Sequence, residues 1–154
     1  KISIVVDQFK QFKKANFLQN LPNLKNNQNN SSLSFWPYLA PESCISFRKK
    51  FIKKFIKKNH KLQNKFGSVW LGFRLGAYAF FIDKSFLFYK KKLTHYSSHG
   101  ESKKYPFFGY NWLERRMNSF EYLYLISKKK LYFKLNPDYL VTFIIIKIYK
   151  FFKK

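Results

Sequence analysis

One stretch of the chain, residues 46–62, constrains how the rest can fold. Phenylalanine and isoleucine recur there at the spacing of one helix face, and lysines fill the positions between them. Side chains three and four residues apart lie on the same side of an α-helix, so this pattern predicts an amphipathic helix with a cationic outer face. The apolar positions are Phe47, Phe51, Ile52, Phe55 and Ile56.

The whole chain carries a large positive charge. Its 31 Lys and Arg stand against seven acids, which leaves a formal net charge of +24. A compact domain with that surplus repels itself, so we expect the protein to work against a polyanion. The lysine runs at 49–58, 90–92, 103–104, 128–130 and 153–154 are spread along the chain and interleaved with aromatic residues. This spread favours folded RNA contacted on several faces over a single DNA-reading helix.

A second helix is predicted at residues 111–126. It contains Arg115 and Arg116, two of the four arginines in a chain whose charge comes mostly from lysine, so something more specific than bulk charge is indicated there. Asn111 stands three residues before Glu114, the spacing of a capping box at a helix start. Apolar residues then recur at helical spacing and would form the inner face, namely Leu113, Met117, Phe120 and Tyr124. We therefore expect the arginine pair on the outer surface.

These two helices and several short runs of β-forming residues predict a small α+β domain with short antiparallel strands and extended basic arms. The 154 residues suffice for one domain. Residues 1–34 are interpreted as an N-terminal segment followed by an Asn-rich extended arm over 19–34, and residues 35–154 as the basic domain. A turn is predicted at Asn136-Pro137-Asp138. The predicted strands cover residues 2–6, 69–73, 78–81, 85–89, 131–135 and 140–149.

Catalytic and metal-binding chemistry find little support in the sequence. The histidines His60, His95 and His99 lie among lysines with no further ligand at metal-site spacing, and the acids are scattered. Cys44 is the single cysteine, so an internal disulfide is excluded. We expect no enzymatic activity, no metal, no cofactor and no small-molecule substrate.

A membrane is the less favoured partner. The longest uncharged apolar run covers residues 139–146, far fewer than the roughly 20 residues that a bilayer crossing requires. The alternative that remains is a basic peripheral subunit of an organellar membrane complex. In that case the helix at residues 46–62 would hold the chain on anionic lipid.

The composition also bears on the source of the chain. Lysine, phenylalanine, tyrosine, asparagine and isoleucine dominate, and these are the residues of A- and T-rich codons. This composition predicts that the chain is encoded by an organelle or by a very AT-rich organism.

Part of the second helix resembles a known family. Leu113-Glu114-Arg115-Arg116-Met117-Asn118, with Tyr122 four residues on, is similar to the signature of small-subunit ribosomal protein four, and the approach to this helix resembles that of mitochondrial members. Residues 126–133 are similar to the entry into that family's first strand, and residues 138–141 to the segment after its hairpin. The resemblance implies an RNA-binding module whose partners are ribosomal RNA and neighbouring ribosomal proteins.

A rival resemblance lies within the same particle. Trp36, then residues 47–54, then Ser68-Val69-Trp70 are similar to the start of small-subunit ribosomal protein three. Both resemblances imply a mitochondrial small ribosomal subunit, with Arg115, Arg116 and the lysines at 128–130 as backbone-binding cations in the first. The candidate RNA-binding residues are Arg48, Lys49, Lys50, Lys53, Lys54, Lys57, Lys58, Arg74, Arg115, Arg116, Lys128, Lys129 and Lys130.

Overall fold

The α+β class is confirmed by a computed structural model, which describes residues 1–23, 42–95, 109–128 and 134–152. Five helices and three strands follow one another in these ranges, together with a short 3₁₀ turn at Glu42–Cys44. The elements are α1 Ile2–Gln11, β1 Phe17–Asn23, β2 Ile45–Phe47, α2 Lys49–Gln63, α3 Leu71–Phe81, β3 Phe86–His95, α4 Tyr110–Ser127 and α5 Pro137–Phe152.

The three strands form one small sheet in the order β2-β1-β3. Strand β1 pairs with β2 in the predicted antiparallel sense, where Phe17 faces Phe47. It pairs with β3 in the parallel sense, where Phe17 faces Phe86. A parallel pair requires a long crossover, and α2 and α3 lie in the connection between these strands. The strand predicted at residues 85–89 is confirmed and continues to His95.

The predicted arm is wrong for residues 19–23, because they belong to β1, the central strand. Its polar composition suggested a segment that does not order on its own, yet Asn20 is fully buried in the sheet. The Asn20 amide donates hydrogen bonds to Leu21 O at 2.8 Å and to Thr94 Oγ1 at 3.1 Å. These two bonds satisfy the amide donor of Asn20, whereas its side-chain oxygen finds no partner in the described part of the chain, so they offset only part of the cost of burial. Residues 24–34, and the boundary at 34/35, lie outside the described residues.

Helix α3 is the centre of the fold. The strands predicted at residues 69–73 and 78–81 are wrong, because residues 71–81 form one helix whose positions from Gly72 to Ala79 are all buried. A segment that is apolar on every side has no helical or strand period to read. An added Cβ at Gly76 would meet the Phe86 ring at 3.7 Å and the Phe17 ring at 3.8 Å. Gly76 therefore marks the place where the sheet lies against α3.

Two core clusters share α3 between them. One joins α3 through Phe73 and Ala77 to α4 and to the turn after α2, with Phe66, Val69, Phe120, Tyr122 and Leu123. The other joins α3 through Leu75, Tyr78 and Ala79 to α2 and the sheet, with Phe17, Phe51 and Phe55. Of the apolar stripe predicted for α2, Phe51, Ile52 and Phe55 pack in this cluster. The prediction is wrong for Phe47, which belongs to β2, and for Ile56, which is 56% exposed.

The first residues of the chain form a helix rather than the predicted strand at residues 2–6. Ile2, Ile4, Val5 and Val6 favoured a strand by intrinsic propensity, which tertiary contacts readily override. Val5 is buried in the structure. Arg48 stabilises the end of α1. Its guanidinium donates a hydrogen bond to the carbonyl of Phe9 and lies 5.0 Å over the Phe9 ring.

Helix α5 replaces the strand predicted at residues 140–149, and Asn136 explains why. The Asn136 side-chain oxygen accepts a hydrogen bond from the backbone N–H of Asp138 at 2.9 Å, and its carbonyl accepts one from Leu140 at 3.1 Å. Pro137 is the first helical residue, where its missing N–H costs nothing. The predicted turn is therefore a helix N-cap, and the β-branched residues after it continue the helix.

The helix predicted at residues 111–126 is confirmed as α4, although its start differs. The N-cap residue is Gly109, which has no side chain to form a cap hydrogen bond. The predicted capping box of Asn111 and Glu114 is therefore wrong, because Asn111 lies inside the helix. Both residues lie within the first turns of the helix. Leu113 and Phe120 are buried as predicted. The helix predicted at residues 46–62 is likewise confirmed as α2. Residues 131–133 of the predicted strand at 131–135 lie outside the described part.

Replacing Asn136 by alanine is expected to lower the free energy of unfolding by about 1 kcal/mol, because the first turn of α5 loses its side-chain acceptor. Asn136→Asp is the matched control, since aspartate caps equally well and should keep wild-type stability. Chemical unfolding followed by circular dichroism measures both. Equal loss in the two variants would contradict the capping role.

Candidate nucleic-acid interface

Helix α2 separates its apolar and cationic residues onto opposite sides. Phe51, Phe55 and Asn59 are buried, whereas the candidate residues Lys49, Lys50, Lys53, Lys54, Lys57 and Lys58 are all exposed. Lys50, Lys53, Lys57 and Lys61 stand at i, i+3, i+7 and i+11, so they follow one line along the helix. We call these four the lysine row. At 1.5 Å per residue the row extends roughly 16 Å. No acidic residue occurs in α2.

Lys54, beside the row, has a carboxylate partner in Asp83. Its Nζ lies 3.3 Å from Asp83 Oδ1. Asp83 Oδ2 accepts hydrogen bonds from Ser85 Oγ at 2.7 Å and Asn16 Nδ2 at 3.0 Å. Burial raises the pKa of Asp83, but the hydrogen bonds from Ser85, Asn16 and Lys54 outweigh it, so that the pKa lies below its usual value. Lys54 therefore helps to fix the turn between α3 and β3.

Arg48 lies inside the fold rather than on the cationic face. Its Nε donates a hydrogen bond to Ala15 O at 3.0 Å, and the terminal nitrogen donates to Phe9 O. The guanidinium thus joins the start of α2 to α1 and to the residues before β1. A planar group with donors in several directions suits such a junction.

Arg115 and Arg116 lie between helices, contrary to the outer-surface position expected from the sequence. The Arg115 guanidinium is 3.7 Å over the ring of Trp70, at the start of α3. Arg116 forms an ion pair with Asp138 of α5, and its side chain is only 19% exposed. It also lies 5.0 Å over the Trp112 ring. The arginine pair therefore connects α4 to both of its neighbouring helices.

Arg74 is buried within α3, at 9% exposure. Its Nε finds no hydrogen-bond partner in the described part of the chain, and none of the ion pairs found there includes it. A guanidinium cannot lose its charge at any ordinary pH, so its burial is costly without an anion. Burial raises the pKa of Tyr122, and the positive charge of Arg74 works against that rise.

The cations after α4 are only partly described. Lys128 is exposed and caps α4 in the left-handed conformation, with φ of 56°. A cation at this end of a helix is favoured by the partial negative charge of the last carbonyls. Lys129 and Lys130 lie outside the described residues.

A cleft between α4 and α5 was not predicted. It measures about 380 Å³ and combines an aromatic wall with a cationic rim. Lys65 lies on this rim two residues beyond the end of α2, and its Nζ is 3.5 Å from Glu121 Oε2. Three separate segments form the cleft, so no spacing in the sequence could reveal it. Its lining residues are Lys65, Phe120, Glu121, Tyr124, Leu125, Lys134 and Tyr139.

Comparisons with protein-family models, curated proteins and solved structures find no match to this chain. The histidines and acids within the described ranges form no group of three that could hold a metal ion. Among the helices described above, none has the length and apolar content needed to cross a bilayer.

Replacing Asp83 by asparagine is expected to destabilise the protein by about 2 kcal/mol at pH 7, because charge-assisted hydrogen bonds are lost. The pKa of Asp83 is lowered in the folded protein, so the carboxylate stabilises the fold. This stabilisation is fully present above the pKa of the unfolded state, about 4, and is lost as pH falls through the pKa of the folded state. The gap between variant and wild type should therefore shrink below about pH 4. Urea unfolding across this pH range measures it, and a gap independent of pH would refute the assignment. Asp7→Asn, at an exposed pair, should change stability by less than about 0.5 kcal/mol.

Replacing Arg116 by alanine is expected to lower stability by about 1–2 kcal/mol, since the partly buried Asp138 loses its partner. Asp138→Asn should cost a similar amount. The double variant should cost less than the sum of the two, which gives a coupling energy of at least about 0.5 kcal/mol. Additive losses in a double-mutant cycle would show that the two side chains act independently.

Proposed function

We propose that this protein is a structural constituent of a mitochondrial small ribosomal subunit, which binds and stabilises folded ribosomal RNA. The lysine row of α2 carries the proposal. Its members are exposed, they lie on one line, and no acid of the same helix neutralises them. The phosphate backbone is a matching surface, since most of the affinity of RNA-binding proteins comes from such contacts.

The cleft between α4 and α5 suits an unpaired base. Tyr124 and Tyr139 provide stacking surfaces, and Lys134 provides a cation for an adjacent phosphate. Lys65 and Glu121 are paired with each other on the rim. The resemblance of residues 113–118 to small-subunit ribosomal protein four agrees with an RNA-bound α4. In this chain the arginines of that stretch contact Trp70 and Asp138, so the proposal assigns the phosphate contacts chiefly to α2.

Changing Lys50, Lys53 and Lys57 together to glutamine is expected to weaken binding to small-subunit ribosomal RNA. The slope of log affinity against log salt is negative, and each lost phosphate contact makes it less steep by about 0.7–0.9. The triple variant should therefore show a slope that is less steep by roughly 2–3 units. Filter binding over a salt series measures this. The matched control changes Lys90, Lys91 and Lys92 to glutamine, which removes the same charge from exposed positions of β3. Equal slopes in the two variants would indicate bulk charge and contradict the assignment to α2.

The ribosomal part of the proposal has its own test. The native chain should co-sediment with mitochondrial small subunits after a high-salt wash and should crosslink to their RNA. Recovery away from these subunits, with no crosslinked RNA, would refute the proposal whatever the salt slopes show.

A further inference from the structure

Helix α5 has apolar residues on both of its sides. On the inner side, Thr142 is buried and the Tyr139 ring contacts Phe120 of α4 at 5.3 Å. On the outer side, Ile144 is 55% exposed and Phe151 is 76% exposed. A helix that is apolar all round is normally covered on all sides. We call the exposed residues Leu140, Val141, Ile144, Ile148 and Phe151 the outer face of α5.

The chemistry of this face restricts what can cover it. Four of the five residues of the outer face are aliphatic and gain nothing from a phosphate backbone, so RNA is a poor occupant for most of this face. A second copy of this chain would bring together two molecules of charge +24, which repel each other. The occupant must therefore be apolar and must tolerate or attract positive charge.

Lysines border the outer face on one flank. Lys147 and Lys150 are both exposed, and the Lys147 Nζ lies 5.5 Å over the Phe143 ring. The one acid of α5, Asp138, is paired with Arg116. Lysine side chains beside an apolar face can extend their amines toward lipid phosphates while their methylenes follow the apolar surface. An apolar face flanked by lysines is the pattern of a helix that lies in a membrane interface.

We propose that α5 docks on an anionic membrane surface, with its outer face in the acyl boundary and its lysines at the headgroups. The contact with α4 leaves only one side of α5 available, so the helix lies parallel to the surface. The lysine row belongs to a different helix, so lipid on α5 and RNA on α2 would use separate residues. This inference does not depend on the proposed ribosomal function.

The test is flotation of the full-length protein with vesicles of phosphatidylcholine, with and without phosphatidylglycerol. The wild type should float with the anionic vesicles and more weakly with the neutral ones. Changing Ile144 and Ile148 together to glutamate should weaken binding at least about tenfold, because two half-exposed aliphatic side chains no longer enter the lipid. Both residues are exposed, and circular dichroism should show an unchanged fold.

The matched control changes Lys53 and Lys57 together to glutamine, which lowers the net charge by the same two units. This variant should float nearly as well as the wild type, and added RNA should leave wild-type flotation in place. Three outcomes would overturn the proposal. The first is no flotation with either vesicle, as expected if another protein covers α5. The second is equal flotation of the glutamate variant and the wild type. The third is a greater loss of flotation in the lysine variant than in the glutamate variant, which would place lipid on α2.

Discussion

One buried hydroxyl group, that of Tyr122, holds the helical part of this fold together. It donates a hydrogen bond to the side-chain oxygen of Asn59 at 2.7 Å and lies 3.4 Å from the carbonyl of Arg74. These three residues belong to α4, α2 and α3. The Tyr122 ring is fully buried and meets the Phe66 ring edge-on at 5.6 Å. The hydroxyl proton thus links α4 to α2 through Asn59, with the α3 carbonyl close by, and this polar contact inside an apolar cluster fixes the relative positions of the helices more narrowly than apolar packing alone.

The fixed arrangement of these helices determines what α2 presents to its surroundings. Asn59 anchors the same helix side that buries Phe51 and Phe55, so the lysine row must lie on the opposite side. Three of the arginines have a different role from these exposed lysines. Arg48, Arg115 and Arg116 join α1 to α2, α4 to the start of α3, and α4 to α5. Lysine provides diffuse exposed charge, whereas the planar guanidinium is used where two elements meet.

Sequence reasoning succeeded where a periodic pattern lies on one face. The helices α2 and α4 show the 3.6-residue period and were predicted within a few residues, as was the strand that begins at Phe86. It failed for α3 and for α5, because their apolar residues surround the helix and β-branched residues suggest strands. Asn136 was read as part of a turn, although an Asn-Pro pair at that place is equally a helix start. Strand β1 was missed because one of the two acceptors for the buried Asn20 amide, Thr94, lies 74 residues away in the sequence.

The sequence by itself determined the class of the fold, the cationic side of α2 and the small number of histidines and acids, since these follow from period and composition. Only the tertiary structure decided which cations are available to a ligand. Arg74 is buried and Arg116 is paired, whereas Lys50 and Lys57 remain exposed, and nothing in the local spacing of these residues distinguishes them. The same holds for α5, where the sequence predicted a strand at residues 140–149 and the structure has a helix with an exposed apolar side. Burial is a property of the neighbours that a segment meets, and α4 covers only one side of this helix.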